Sequence, residues 1–286
     1  MVTTMWTGTI TALSSIAHGE ETRGTSTMLR REIVTTPAGT RVPVPIVSGN
    51  TLRGRLRRIG EELLRDAVGY AGQISPAAAH TLRGGGSLAK TGREPLSGAR
   101  LARLRELVPQ LGVFGGAGGG TILSGALDVG KVVPHVAETV RITGVETRVS
   151  AFEATQLEAY TRQDDGRAHD FADVPARIVF DENGQPGVVD DAGGNQMRFL
   201  VETFPIGTTF STWLRLRRPS ALELAFFVDV LAEFSRDGRL GGRIAIGHGQ
   251  VRADLTADHA PTVSADWRGH VAEHRDEILT ALESLV

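Results

Sequence analysis

Ser48-Gly49-Asn50-Thr51-Leu52-Arg53-Gly54-Arg55-Leu56-Arg57-Arg58 opens a segment that runs to about Gly69 and orders the rest of the chain around it. Leu52, Leu56, Ile59 and Leu63 recur at helical spacing and give one apolar face. Ser48 or Asn50 can cap the first free N–H groups. Arg57, Arg58 and Arg65 each have Glu61 or Glu62 three or four residues away, so local ion pairs can occupy them. Arg53 and Arg55 have no acidic residue at that spacing, and they sit in the first turns, where the helix dipole disfavours cations. Free N–H groups, unpaired arginines and two glycines that permit close approach favour an anion such as a phosphate. An ordinary solvated helix start, with Arg53 paired to a residue remote in sequence, is the competing reading.

The chain has 286 residues, 41% hydrophobic and 22% charged, enough to bury a core in one elaborated domain or two. Its net charge is −2, but the charge is unevenly placed. Residues 1–110 carry fifteen Arg and Lys against eight Asp and Glu; the remainder carries sixteen against twenty-five. That asymmetry suits a basic groove or copies stacked head to tail. Lys90 and Lys131 are the only lysines, which explains the preference for Arg but not its distribution. The absence of cysteine excludes disulfides, Cys-ligated zinc and thiol nucleophiles. With no signal-like N-terminus and no apolar run of membrane length, a soluble cytoplasmic protein is expected, with no membrane partner.

Along the chain, Trp6 to Ala17 reads as a first strand closed by His18-Gly19-Glu20-Glu21. Residues 22–47, with Pro43 and Pro45, read as an extended arm or hairpin, followed by the arginine helix at 49–68. Residues 70–111 read as a helical insertion, with a helix from Pro76, a break at Gly84-Gly85-Gly86 and a helix over Gly98–Leu107. Leu111-Gly112-Val113-Phe114-Gly115-Gly116-Ala117-Gly118-Gly119-Gly120 precedes a strand-like run from Thr121 to Val129. That glycine cluster can wrap a phosphate or form a plain loop; no Gly-Lys-Ser/Thr follows it.

Thr139 to Val149 alternates like a strand. Asp181-Glu182-Asn183-Gly184 reads as a hairpin turn between Ala176–Phe180 and Gln185–Val189. Asp164, Asp165, His169, Asp170 and Asp173 form either a solvated acidic turn or a metal cluster. Met197–Thr203 and Thr208–Arg217 read as strands around Pro205-Ile206-Gly207, with Phe210, Thr212, Leu214 and Leu216 facing one way and Trp213, Arg215 and Arg217 the other. Ser220 caps a helix through Phe234, ended by Asp237-Gly238; a strand over 243–255 and an amphipathic helix from Ser264 complete the chain. Without the insertions the order is βαββαβ, which predicts an α+β fold with a ferredoxin-like or RRM-like core. The core spans about 1–69, 112–136 and 196–255, with the helical insertion at 70–111, an extended hairpin at 138–195 and the terminal helix at 264–286.

Three segments resemble motifs of the RAMP superfamily, the RNA-binding subunits of CRISPR effector complexes. Pro45-Ile46-Val47-Ser48-Gly49-Asn50-Thr51-Leu52-Arg53-Gly54 is similar to the signature that opens its first helix. Leu111–Gly120 resembles the Leu-Phe-Gly and glycine run before its second core strand. Gly241-Gly242-Arg243-Ile244-Ala245-Ile246-Gly247-His248-Gly249-Gln250-Val251 resembles its glycine-rich segment. The resemblance implies a backbone subunit that coats CRISPR guide RNA, stacks on copies of itself, joins other effector subunits and reaches target nucleic acid through guide pairing. The long arm and the thumb-like hairpin at 138–195 favour a type IV system over types I and III.

The resemblance further implies RNA contacts from His18 at the close of the first strand, from Arg23, Arg30 and Arg31 in the arm and from Ser48, Asn50, Arg53 and Arg55 at the helix head. Gly115, Gly116 and Gly118, Lys131, Arg141 and Arg162, and Arg243 and His248 in the last glycine segment complete the set. No cofactor, metal or catalytic residue is expected. Basic groups without an aromatic pair suit sequence-independent phosphate tracking, since RNP-type aromatics are missing from the first strand apart from Trp6.

The alternative is a RAMP endoribonuclease. Members that process guide precursors use a histidine, for which His18 and His248 are candidates. Members that cut target RNA carry an aspartate in the loop after the first strand, where this chain has Arg23-Gly24-Thr25-Ser26-Thr27-Met28. A metal-dependent hydrolase built on the acidic cluster is a third possibility.

Overall fold

The computed structural model describes residues 2–86, 98–118, 121–163, 178–180, 182–188 and 196–283. The fold is α+β. In chain order, β1 (Thr4–Ala12) leads into two hairpins, β2 (Gly19–Arg23) with β3 (Ser26–Leu29) and β4 (Arg31–Thr35) with β5 (Arg41–Pro45). Helices α1 (Gly49–Val68), α2 (Pro76–Gly84), α3 (Gly98–Leu107) and α4 (Pro109–Phe114) follow. Next come β6 (Gly116–Gly118), β7 (Thr121–Leu123), β8 (Leu127–Val129), β9 (Val133–Pro134) and the short α5 (Val140–Thr143). The long pair β10 (Gln156–Gln163) and β13 (Gln196–Thr203) encloses the hairpin of β11 (Ile178–Phe180) and β12 (Pro186–Val188). The chain ends with β14 (Thr209–Leu216), α6 (Ala221–Arg236), β15 (Gly238–Arg239), β16 (Gln250–Ala257), α7 (Trp267–Glu273) and α8 (Arg275–Glu283).

The central sheet has the order β15-β16-β1-β14-β8, with β9 also on β14, and every pairing in it is antiparallel. β1 is its middle strand, with Trp6 opposite both Leu214 and Ala257. Trp6, Ile10, Phe210, Leu214 and Leu216 point to one face, which α1 and α6 cover with Leu52, Leu56, Ile59, Phe226, Val230 and Phe234. Burial of each such side chain contributes about 1.5–3 kcal/mol. Trp6 meets Phe227 edge-on at 5.3 Å between ring centroids, so it is a core residue and not a base-stacking aromatic. A second sheet, β10-β13-β3-β2, joins the thumb-like pair to the first hairpin through the parallel pairing of β3 with β13.

Several expectations need correction. The first strand stops at Ala12, because Ile16 and Ala17 leave the central sheet to bridge Phe204 and Gly242. The arm is two hairpins, and Pro43 and Pro45 are tolerated because β5 pairs only with β4. The run from Thr121 to Val129 is two strands, split where Ala126 N–H turns to Gly112 C=O at 2.9 Å.

Residues 139–149 are not a strand. Thr139 Oγ1 donates to Pro134 C=O at 2.5 Å and accepts from Val136 N–H at 3.2 Å, which curls the chain into a 3-10 turn and α5. The strands on either side of Pro205–Gly207 belong to different sheets. Residues 244–246 form a 3-10 turn, and the last core strand begins only at Gln250. The terminal helix is two helices, α7 and α8.

Candidate nucleic-acid interface

The head of α1 is built as its sequence predicts. Ser48 is the N-cap, and its Oγ accepts from Thr51 N–H at 3.3 Å. Ser48 N–H in turn donates to His18 Nε2 at 3.3 Å. His18 C=O accepts from Arg30 N–H at 2.8 Å, and Arg30 C=O accepts from Ile46 N–H at 3.2 Å. The structure thus brings His18, Arg30 and Ser48 together at one point, with Asn50 exposed beside them. The Arg30 side chain is exposed and has no partner among the described residues.

The arginines of α1 divide differently from the local-spacing reading. Arg53 is not free for a phosphate: its guanidinium turns inward, donating to Leu127 C=O and, at 2.8 Å, to Phe114 C=O. Burial lowers its pKa, while nearby Asp128 opposes the shift. Arg57 is buried and donates to Phe114 C=O and to Gly115 C=O at 3.0 Å, not to Glu61. Burial, helped by the charge of Arg53, pulls its pKa down to about 10. These two cations satisfy carbonyls left open where α4 ends. Glu61 instead pairs with Arg83 at 2.5 Å and with Arg65 at 3.7 Å, and accepts from the Tyr70 hydroxyl at 2.9 Å. Glu62 also turns to Arg83, at 3.5 Å, which leaves Arg58 exposed and unpaired among the described residues. Arg55 is half-buried, with its Nε unpartnered.

The described glycines of the first cluster are taken up in packing. Gly115, Gly116 and Gly118 lie in the buried turn and strand of the β6–β7 hairpin. Gly115 has φ +66°, and a Cβ there would stand 2.2 Å from Leu123 O, so the glycine serves close packing. Gly119 and Gly120 lie outside the described residues.

The second glycine segment holds a site of its own. Gly242 N–H donates to Ala17 C=O at 2.7 Å, seating this loop against the segment between β1 and β2. Arg243 has φ +57°, and its guanidinium lies 5.3 Å from the Phe199 ring centroid. Phe199 is stacked on Tyr160 at 5.4 Å across the β10–β13 pair.

His248 is buried, with Nδ1 3.0 Å from Ser15 Oγ and Nε2 2.5 Å from the Tyr160 hydroxyl. The Tyr160 hydroxyl also donates to Glu158 at 2.6 Å, which ties the imidazole to that carboxylate through the tyrosine. Burial alone would raise the Glu158 pKa, but hydrogen bonds from Tyr160, Thr203, Ser15 and Gln156 outweigh it and pull it down to about 2. Burial and the Glu158 carboxylate push Tyr160 up to about 12, partly offset by Arg243. His248 is therefore a tie between the glycine loop and the β10–β13 pair, and both its ring nitrogens are engaged within the chain.

Three more expected contacts are occupied within the chain. Arg31 forms a two-pronged ion pair with Glu202, Lys131 pairs with Glu32, and Arg141 donates to Pro37 C=O at 2.8 Å. The side chains of Arg23 and Arg162 lie outside the described part of the structure. So does the acidic cluster of Asp164, Asp165, His169, Asp170 and Asp173. Among the described residues no group of His, Asp and Glu is placed to hold a metal ion. None of their helices is long and apolar enough to cross a membrane.

Sequence reasoning missed Tyr160 and Phe199. They sit on strands of which only one, Met197–Thr203, is readable, and their pairing depends on the register Tyr160↔Phe199 across 39 residues.

By sequence, no protein family and no curated protein matches the chain. By structure it is similar to a chain of a solved type IV-B CRISPR complex, with 30% sequence identity and a TM-score of 0.62, over 93% of this chain and 96% of that chain. The chain belongs to the family of CRISPR complex components, and within it to the type IV group.

Proposed function

We propose that the chain is the backbone subunit of a type IV CRISPR effector complex, coating guide RNA and polymerising helically with copies of itself. The core strands in the order 250–257, 4–12, 209–216 and 127–134, backed by α1 and α6, make the ferredoxin-like βαββαβ palm of a RAMP protein. The pair β10–β13 is its thumb.

The observation that carries the reading is the junction around the segment between β1 and β2. There the capped head of α1, the exposed Arg30 and the Arg243–Phe199–Tyr160 stack flank one another. Arg30 and Arg243 supply sequence-independent phosphate attraction, with Arg243 braced over the Phe199 ring. The subunit has no nuclease activity of its own and meets target nucleic acid through guide pairing. Other effector subunits complete the assembly.

The test is purification at low salt, followed by absorbance and particle imaging. RNA-bound helical particles are expected. A monodisperse, RNA-free monomer would refute the reading.

A further inference from the structure

A cleft of about 600 Å³ lies at the far end of the β14–β8 edge from the head of α1, lined by Arg105, Arg215, Arg217, Arg218, Ser124 and Thr3 among others. Three of its guanidinium groups are held from one side. Arg215 donates to Asp128 through Nε at 3.0 Å and Nη2 at 2.8 Å. Arg217 pairs with the same oxygen at 3.2 Å and donates to Gly125 C=O at 3.2 Å. Arg105 meets the buried Glu223 at 2.9 Å, and Glu223 is itself fixed by Ser220 N–H at 2.7 Å. Two carboxylates thus anchor three guanidinium groups, and Arg218 adds a fourth.

Arg218 is exposed, has no partner among the described residues and stands at φ +42°. That left-handed backbone is uncommon for a residue other than glycine; the following Pro219 bars the ordinary helical alternative. The cluster keeps an excess of two positive charges in an open, pre-oriented cleft. Ser124, Gly125 and Arg217 also line the adjoining cleft, which holds Gly49, Asn50 and Lys131 at the head of α1. The two clefts form one groove along the edge of the central sheet.

We propose that the four-arginine cleft is a second phosphate-binding site, taking the phosphodiester groups of a nucleic-acid strand that runs along this edge. The source of the phosphates rests on the RNA-binding reading above; the anion chemistry of the cleft does not. Planar guanidinium forks favour phosphate geometry, and continuity with the head of α1 favours a strand over an acidic peptide.

The full chain is titrated with a labelled oligouridine over a range of salt, and separately with inorganic pyrophosphate by thermal shift. Arg218→Asn suits the left-handed backbone and should lower the salt slope by about 0.7, the value of one single-strand contact. Arg215→Gln together with Arg218→Asn should lower it by about 1.4 and abolish the pyrophosphate shift. If Arg55→Ala weakens oligouridine binding while both cleft variants leave slope and affinity unchanged, the second site is refuted and the RNA reading stands. If wild type ignores oligouridine yet its pyrophosphate shift disappears in the double variant, the anion site stands and the RNA reading falls. A glutamate-rich peptide that shifts wild type but not the double variant, with pyrophosphate inert, would make the cleft a protein-docking surface and overturn the proposal.

Discussion

His18 Nε2 accepts the backbone N–H of Ser48 at 3.3 Å, so this imidazole is engaged in holding the head of α1. The nitrogen that a ribonuclease would present to a 2′-hydroxyl is here an acceptor for the peptide chain. His18→Ala should lower stability by about 1 kcal/mol, read from the urea midpoint. Guide precursor and complementary RNA should stay intact with wild type and variant, with or without magnesium. Cleavage by wild type that disappears in the variant would sink the non-catalytic reading.

Neighbouring arginines of α1 should respond in opposite ways. Arg57→Ala removes a buried guanidinium from the Phe114 and Gly115 carbonyls and should cost about 3 kcal/mol of unfolding free energy. Arg58→Ala, on the exposed side, should change it by less than about 0.5 kcal/mol. Equal effects in chemical denaturation would contradict the inward assignment.

RNA binding should depend on Arg55 and Arg243 rather than on Arg53. Losing both should reduce the salt slope by about 1.4, a share of 0.7 for each single-strand contact. Arg53→Ala should act mainly on thermal stability, because its donors serve Phe114 and Leu127. A normal slope in the Arg55→Ala, Arg243→Ala protein would refute the interface.

Glu158 should make the thumb base sensitive to acid. Its folded pKa of about 2 lies below the unfolded value of about 4.3, so its ionised form stabilises the fold above that unfolded value. The contribution fades as pH falls towards 2. Glu158→Gln should therefore melt below wild type at pH 6, and the gap should close by about pH 2. A gap independent of pH would show that shape, not charge, matters at this position.

What was legible in the chain followed the range over which its causes act. Ser48, Leu52, Leu56 and Ile59 announce α1 because capping and apolar periodicity operate within a few residues. Pro76 announces α2 in the same way, and the structure adds Ser75 as its N-cap. Phe210 to Arg217 alternate as read, with the even positions buried.

Arg53 follows the competing reading of a remote partner, and no helical spacing rule could name those partners, which lie 61 and 74 residues away. The Thr139–Val149 alternation misled because the Thr139 hydroxyl competes with the ladder through Pro134 and Val136. At 243–249 the positive φ of Arg243, Gly247 and Gly249 replaces the expected strand start with a turn. The Tyr160–Phe199 stack arises from register between distant strands, which single-sequence patterns do not encode.

Thr4–Ala12 lies between two strands supplied by residues 209–257. On a translating ribosome this first-made strand waits for roughly 200 further residues, about 10–40 s at ordinary synthesis rates, before either neighbour exists. Its threonines at 4, 7, 9 and 11 and its glycine at 8 make a weakly adhesive edge, suited to that delay. Ribosome-tethered chains halted before Thr209 should remain open to protease along the first hairpins and α1, while release of the finished chain should protect them together. Early protection of the N-terminal half would mean that it folds without its central sheet.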